Sequence, residues 1–238
     1  MPMLSVVVPA YNEVRRLPAT LRALREYLDR DGVAGEEHEV IVVDDGSVDG
    51  TAACALEAGD GWPQLRVLSG ERNHGKGWAV RSGMLAARGE VRLFTDADLS
   101  TPIEEVAKLR ARLDPGTQVV IGSRALPDSD VEVHQPWYRE AMGRGYNRLL
   151  QWLVLPGLRD TQCGFKLFSA EAAVACFEPL RTPGFGFDAE VLLRARRLGF
   201  GVAEVGVRWR HAVNSRVSPV RDSVGTFTDL VRLRLGPR

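Results

Sequence analysis

Two carboxylates in the triplet Asp96-Ala97-Asp98 are the strongest candidates for chemistry in this sequence. The triplet follows the apolar run 91–95, which is typical of a buried strand. Because the chain turns where a strand ends, both carboxylates can face one divalent ion. Hard oxygen ligands of this kind suit Mg²⁺ or Mn²⁺, held together with substrate phosphates. The alternative is an ordinary acidic turn, so the groups that follow the other strands bear on the choice.

Polar groups also follow three other predicted strands, in residues 10–13, 44–47 and 123–124. Asp44 and Asp45 come directly after the apolar run 40–43, in a turn that could equally cap a helix. Their carboxylates could instead accept hydrogen bonds from a nucleotide base or ribose. The first predicted strand, 4–9, leads into residues 10–13 without the glycine-rich turn of dinucleotide-binding folds. This argues against a nicotinamide enzyme.

Residues 70–77 read G-E-R-N-H-G-K-G and nearly match a P-loop. A P-loop needs Ser or Thr after the lysine to hold magnesium, and Gly77 stands there instead. A P-loop ATPase is therefore disfavoured. Lys76 is predicted to contact a donor phosphate, and the alternative is a solvated lysine on a flexible surface loop.

The elements that must position these groups alternate between strand and helix. Strands are predicted at 4–9, 40–43, 65–68, 91–95 and 119–122. Apolar residues at helical spacing predict one helix that begins at residue 17 and two more over about 77–88 and 103–113. Another helix is predicted after residue 49, with Asp49 as its N-cap. Such alternation predicts an α/β fold with a mainly parallel sheet, helices on both faces and ligands at the carboxyl ends of the strands.

The second half of the chain is less regular. Helices are predicted over 137–155 and 188–198, a strand over 202–209, and a basic amphipathic segment over 219–235. The 137–155 helix and the basic segment could lie on a membrane surface, with apolar side chains inward and arginines outward. The alternative is packing against the core or against a second subunit in a homodimer.

Composition places this chain of 238 residues among ordinary globular proteins, with 45% apolar and 26% charged residues. The formal net charge of zero argues against broad nucleic-acid binding. The three cysteines have no zinc-ligand or CxxC spacing, which indicates reduced thiols in a cytoplasmic protein. The run 4–10 lacks the basic flank of a signal peptide, and no apolar stretch reaches the roughly 20 residues of a membrane span.

Taken in order, the motifs resemble family 2 glycosyltransferases of the GT-A fold, in the branch that makes polyprenyl- or dolichyl-phosphate glucose and mannose. The matching segments are 8–13, 43–47, 73–77, 96–102, 122–124, 160–168 and 186–190. The resemblance implies one GT-A domain over 1–238, with a nucleotide-sugar-binding half at 1–125 and an acceptor-binding half at 126–238. Gln162-Cys163-Gly164-Phe165-Lys166 looks more like the glucosyl branch than the mannosyl one.

The resemblance also implies roles for individual residues. Asp96 and Asp98 would hold Mg²⁺ or Mn²⁺, with Asp98 the first-choice ligand, whereas Ser100 stands where some mannosyl members place a metal-binding glutamine. The catalytic set would be Asp98, Asp188, Arg124 and Lys166. Contacts to the acceptor phosphate or donor diphosphate would come from Arg124, Lys166 and Arg216. The donor would be bound by Pro9, Ala10, Tyr11, Asn12, Glu13, Asp44, Asp45, Lys76, Asp96, Ala97 and Asp98.

The implied reaction is inverting transfer of a hexose, with glucose from UDP-glucose favoured, to a phosphate acceptor such as polyprenyl phosphate. A phosphate monoester with a second pKa of about 6 is already a competent nucleophile at pH 7. A hydroxyl acceptor would need a base, for which Asp188 is the candidate. The remaining alternatives are mannosyl transfer from GDP-mannose, a non-catalytic nucleotide-sugar-binding protein, and a nucleotidyltransferase, whose glycine-rich first turn is absent here.

Overall fold

The computed structural model of the protein describes residues 3–31, 37–133 and 155–210. Its centre is a seven-stranded sheet with the order β3-β2-β1-β4-β7-β5-β8, in which only β7 runs antiparallel to its neighbours. The strands are β1 (Leu4–Ala10), β2 (His38–Asp44), β3 (Leu65–Ser69), β4 (Val91–Thr95), β5 (Val119–Ser123), β7 (Phe165–Ser169) and β8 (Val202–Gly206). A second, two-stranded sheet pairs β6 (Asp130–Val133) with β9 (Arg208–Arg210).

Helices cover both faces of the large sheet, as the sequence pattern predicts. They are α1 (Leu17–Glu26), α2 (Thr51–Ala58), α3 (Lys76–Ala86), α4 (Val106–Arg112), α5 (Ala170–Phe177) and α6 (Phe187–Arg197). Apolar side chains of α1, α2 and α4 form one core layer, and those of α3, α5 and α6 form the other. Consecutive residues of β1, such as Val6 and Val7, enter opposite layers, which explains the uninterrupted apolar strands.

The sheet brings the chemically interesting segments to one edge. In the pairing of β1 with β2, Ala10 lies beside Asp44, so both strands end together. Because β7 is antiparallel, Phe165 at its start pairs with Thr95 at the end of β4. The turn that precedes β7 therefore lies at the edge where β1, β2, β4 and β5 end.

Several local predictions need correction. The strand predicted over 202–209 is two strands in different sheets, β8 and β9, and the helix predicted over 103–113 opens with a 3₁₀ turn before α4. Gly50, with φ of 91°, takes the N-cap position of α2, while the Asp49 carboxylate accepts the next N–H, that of Thr51, at 3.0 Å. The pattern did not predict β6, β7 or α5.

Two predicted segments, 137–155 and 219–235, lie outside the described residues except for Leu155. Within the part of the chain that is described, no helix combines the length and apolarity needed to cross a membrane. Cys54, Cys163 and Cys176 are free thiols, and burial raises the pKa of Cys163 to about 11, so this thiol stays protonated at neutral pH.

Candidate active site

The turns after β1 and β2 interlock through side chain–backbone hydrogen bonds. Asn12 takes a left-handed conformation with φ of 55°, its N–H donates to Ser47 Oγ at 2.8 Å, and its Oδ1 accepts the Val48 N–H at 3.0 Å. Tyr11 beside it is 40% exposed. The polar residues that follow β1 are therefore fixed against the turn after β2, at the carboxyl ends of the strands. The Tyr11 ring remains accessible to a ligand.

Asp44 has unused hydrogen-bonding capacity at the end of β2. It is buried, its Oδ2 accepts the Ser47 N–H at 3.3 Å, and its Oδ1 has no hydrogen-bond partner among the described residues. A buried acceptor without a partner is costly. An N–H or O–H donor of a ligand would satisfy it, as predicted for a nucleotide base or ribose.

Asp45 organises the neighbouring loop. Its Oδ1 accepts the His74 N–H at 2.8 Å and its Oδ2 accepts the Gly75 N–H at 2.7 Å. Gly46 is close to the same loop, since a Cβ there would lie 2.3 Å from the Arg72 carbonyl carbon. Residues 70–77 are thus anchored rather than a loosely attached surface loop, and a direct donor contact of Asp45 remains a prediction.

Lys76, at the start of α3, is held from the other side by residues 182–183. The Gly77 N–H donates to the Pro183 carbonyl at 2.7 Å, and a Cβ on Gly77 would lie 2.4 Å from the Thr182 carbonyl oxygen. The two glycines on either side of Lys76 therefore allow the backbone to pack closely against residues 182–183. This packing places Lys76 Nζ 2.5 Å from Asp96 Oδ1. Burial lowers the pKa of Lys76, but the charges of Asp96, Asp188 and Asp98, together with the Asp96 hydrogen bond, outweigh it, so the net shift is upward and the ammonium is retained.

Asp96 and Asp98 are both accessible at the end of β4, with side chains 33% and 22% exposed. Asp98 Oδ1 accepts the Ser100 N–H at 3.0 Å, and Arg16 Nη1 lies 3.8 Å from Asp98 Oδ2. No group of three His, Cys, Asp or Glu side chains suited to a metal ion occurs within residues 3–31, 37–133 and 155–210. Two hard carboxylates fit Mg²⁺ or Mn²⁺ when substrate phosphates complete the coordination.

Arg124 lies just beyond β5 in a tight pair with Asp160. Its Nε donates to Asp160 Oδ2 at 2.6 Å and its Nη2 donates to Oδ1 at 2.9 Å, while the guanidinium lies 5.4 Å from the Trp209 ring centroid. Burial opposes ionisation of Asp160, but Arg124 outweighs it and holds the pKa of this carboxyl at about 2. Arg124 is 28% exposed, so it is fixed in place and still reachable by an anion.

Lys166 and Asp188 form a second pair beneath the surface. Their side chains are 1% and 4% exposed, Lys166 Nζ donates to Asp188 Oδ1, and it also donates to the Cys163 carbonyl at 2.6 Å. Burial raises the pKa of Asp188, and the Lys166 ammonium limits the rise. In this arrangement the Lys166 ammonium is directed at protein acceptors, and Asp188 Oδ1 already accepts a hydrogen bond. The phosphate contact of Lys166 and the base role of Asp188 stay predictions.

The other predicted site residues have backbone roles or local pairs. Ala10 and Ala97 contribute carbonyls that accept from the Asp45 N–H at 2.9 Å and from Thr20 Oγ1 at 2.6 Å. Glu13 pairs with Arg16 at 2.5 Å. Pro9 is a β1 residue, and Arg216 lies outside the described residues.

Two site residues received no role from the sequence: Arg16 and Asp160. Asp160 was part of a matching segment, but its partner Arg124 is 36 positions away along the chain. Arg16 is at the N-cap position of α1. Nothing in the sequence around it distinguishes it from an arginine exposed to solvent. The pairing of Arg16 with Asp98 and of Asp160 with Arg124 is visible only once the fold brings these distant segments together.

The mainly parallel sheet covered by helices on both faces is a GT-A-like α/β fold, and solved structures of glycosyltransferases share it. Glucosyl-3-phosphoglycerate synthase from Mycobacterium tuberculosis, in complex with Mn²⁺, UDP and phosphoglyceric acid, matches with a TM-score of 0.75 at 23% identity, over 100% of this chain and 80% of that one. The same enzyme with Mg²⁺ and UDP matches with a TM-score of 0.73 at 22% identity, over 100% and 81%. The predicted fold class is confirmed.

The sequence profile described as Glycosyl transferase family 2 matches residues 5–177, and the chain belongs to this family. Relatives described as dolichyl-phosphate beta-glucosyltransferase include the Mus musculus protein, 38% identical over 98% of this chain and 75% of that protein. The Drosophila melanogaster relative is 40% identical over 91% and 69%, and the Saccharomyces cerevisiae relative is 33% identical over 98% and 74%. The predicted family is confirmed, and the chain is a glycosyltransferase.

Proposed function

We propose that this protein is an inverting glucosyltransferase that transfers glucose from UDP-glucose to the phosphate of a polyprenyl phosphate, with Mg²⁺ or Mn²⁺. Relatives 33–40% identical are described as dolichyl-phosphate beta-glucosyltransferases, which supports both the sugar and the lipid phosphate. A lipid acceptor also implies contact with a membrane surface. The segments predicted to make that contact, 137–155 and 219–235, are outside the described residues apart from Leu155.

The donor would lie across the strand ends of β1, β2 and β4. Asp44 supplies a buried acceptor for the base or ribose, and Tyr11 offers an exposed ring beside it. Asp96 and Asp98 would hold the divalent cation, which when bound supplies Lewis-acid stabilisation of the leaving diphosphate. Lys76 is fixed close to Asp96, so its ammonium can add a second positive charge as UDP departs.

The state of Asp188 is the observation that favours a phosphate acceptor. A hydroxyl nucleophile needs a base that it can reach within hydrogen-bond distance, about 2.6–3.2 Å. Asp188, the residue predicted for that role, is 3% exposed and bonded to Lys166. A phosphate monoester is mostly dianionic at pH 7 and needs cations rather than a base. Arg124, partly exposed and oriented by Asp160, can supply one, and attack opposite the leaving UDP inverts the anomeric centre.

A donor and acceptor screen on the full chain tests this proposal. UDP-glucose and GDP-mannose would each be offered with Mn²⁺ to polyprenyl phosphate, to the unphosphorylated polyprenol and to 3-phosphoglycerate, with release of UDP or GDP and product mass as readouts. We expect turnover with UDP-glucose and polyprenyl phosphate. Transfer to polyprenol alone, to 3-phosphoglycerate alone or from GDP-mannose alone would contradict the proposal.

A matched pair of variants links the activity to the site. Asp98→Asn removes a metal-binding carboxylate and should lower kcat by about 10²-fold or more, since such a cation supplies several kcal/mol of charge stabilisation. Asp60→Asn removes an exposed carboxylate in the turn after α2 and should leave kcat unchanged. Equal activity of the two variants would remove Asp98 from the site.

A further inference from the structure

The Lys166–Asp188 pair is completely enclosed by protein. Lys166 comes from β7 and Asp188 from the first turn of α6, and both side chains are at most 4% exposed. The ammonium has two protein acceptors, Asp188 Oδ1 and the Cys163 carbonyl, and lies 5.2 Å from the ring centroid of Phe94. Burying two charges is costly even when they are paired, so such a pair is weak support for stability on its own.

The contact with Cys163 links the pair to the end of β4. Gly164 follows Cys163, and its carbonyl accepts the Asp96 N–H at 3.2 Å. The same glycine lies flat against the Asp96 side chain, because a Cβ there would be 2.0 Å from Asp96 Oδ2. Lys166 therefore holds the backbone segment on which Asp96 rests.

Asp188 supports the same carboxylate from a second direction. The backbone N–H of the residue after Lys76 is fixed by Pro183, and Lys76 Nζ reaches Asp96 Oδ1 at 2.5 Å. The negative charge of Asp188 acts on Lys76 as well as on Lys166. One buried carboxylate thus acts on Lys76, which pairs with Asp96, and on Lys166, which holds the Cys163 carbonyl.

From these contacts we infer that Lys166 and Asp188 are positioning residues that hold residues 163–164 and Asp96 in the geometry needed for the metal–diphosphate site. They touch neither the acceptor phosphate nor its attacking oxygen. The chain of contacts runs from Asp188 through Lys166 to Cys163 and Gly164, and from there to Asp96. This inference rests on the proposed function only where it is tested by kcat and the acceptor KM, and the Mn²⁺ binding measurements are independent of it.

Binding of Mn²⁺ in the presence of saturating UDP, followed by EPR, is the primary test. Lys166→Met should weaken Mn²⁺ binding about tenfold or more, as loss of a partner that supports a metal ligand does elsewhere, while the acceptor KM stays within about twofold. Glu39→Gln is the matched control, because Glu39 is a buried carboxylate paired with Arg66 at the opposite edge of the sheet. It should leave Mn²⁺ affinity unchanged.

Asp188→Asn separates positioning from base catalysis. The amide oxygen can still accept from Lys166, so kcat should fall by less than about tenfold and its pH profile should keep its shape, whereas loss of a general base costs about 10²- to 10⁴-fold. If Lys166→Met does not fold, the double variant Lys166→Met/Asp188→Asn leaves no unpaired charge and is measured in the same way.

Three results would overturn the inference. The first is an acceptor KM that Lys166→Met raises while Mn²⁺ affinity stays unchanged. The second is a fall in kcat of about 10²-fold or more in Asp188→Asn, together with loss of the basic-group transition from the pH profile of kcat. The third is an Mn²⁺ affinity that stays unchanged in every variant. A wild-type protein that binds Mn²⁺ and UDP but fails to glucosylate polyprenyl phosphate would sink the proposed function instead. The Mn²⁺ titrations would still decide the positioning role.

Discussion

Gly164→Ala is a small change that should disable the site without replacing a charged residue. An ideal Cβ on Gly164 would lie 2.0 Å from Asp96 Oδ2, 2.4 Å from its Cγ and 2.6 Å from its Oδ1. All three atoms of the carboxylate are affected, so rotation about the Cβ–Cγ bond leaves Cγ in the clash and the whole carboxylate must move away from its present position. Gly164 has no positive φ, and alanine is acceptable to the backbone itself.

The size of the effect follows from these distances. Ordinary contacts between non-bonded heavy atoms are about 3.5 Å, so the carboxylate must move by at least about 1 Å. Such a shift breaks the 2.5 Å pair with Lys76 and moves a predicted metal ligand. A misplacement of about 1 Å can cost about 10²-fold in rate. Overpacking should also lower the free energy of unfolding by about 1–3 kcal/mol.

The assay is UDP release from UDP-glucose with polyprenyl phosphate, alongside calorimetric titration of Mn²⁺ with UDP present. We expect kcat to fall by about 10²-fold and Mn²⁺ affinity to fall with it, while urea unfolding remains cooperative. Gly116→Ala is the control, because a Cβ there meets only the Asp114 carboxylate, at 3.2 Å. A Gly164→Ala protein with wild-type activity and wild-type Mn²⁺ affinity would refute the reasoning.

Two further predictions concern the Arg124–Asp160 pair. Arg124→Lys keeps the charge but loses the two parallel bonds to Asp160, so kcat/KM for the acceptor should fall about 10-fold or more with the donor KM unchanged in steady-state kinetics; a raised donor KM would instead place Arg124 on the diphosphate. Asp160→Asn should lower the free energy of unfolding by about 2–3 kcal/mol at pH 7, because the folded pKa of about 2 lies below the unfolded value of about 3.9. This contribution is complete above the unfolded pKa and is lost as pH falls towards 2, so urea unfolding should show the two proteins converging in acid; a difference independent of pH would rule out this origin.

The sheet could be predicted from the sequence because its strands are continuous apolar runs and its helices have apolar side chains at helical spacing. Both signals are local, and they place the acidic triplet 96–98 and the turn 44–47 at strand ends. β7 escaped prediction because its segment, Phe165-Lys166-Leu167-Phe168-Ser169, has a lysine as its second residue. Its charge is tolerated only because Asp188, 22 positions away, lies beside it in the fold.

The order of polar segments along the chain was enough to indicate the family and to predict a nucleotide-sugar site with an acidic pair, because both depend on residue type and on the ends of local elements. The burial and the partners of Lys166, Asp188 and Asp45 could not be obtained in that way. A charged residue has the same letter whether it faces a ligand or is buried in an ion pair, and the difference lies in burial and in partners contributed by distant segments. Folding decides both, by setting β7 antiparallel beside β4 and by packing residues 182–183 against the start of α3.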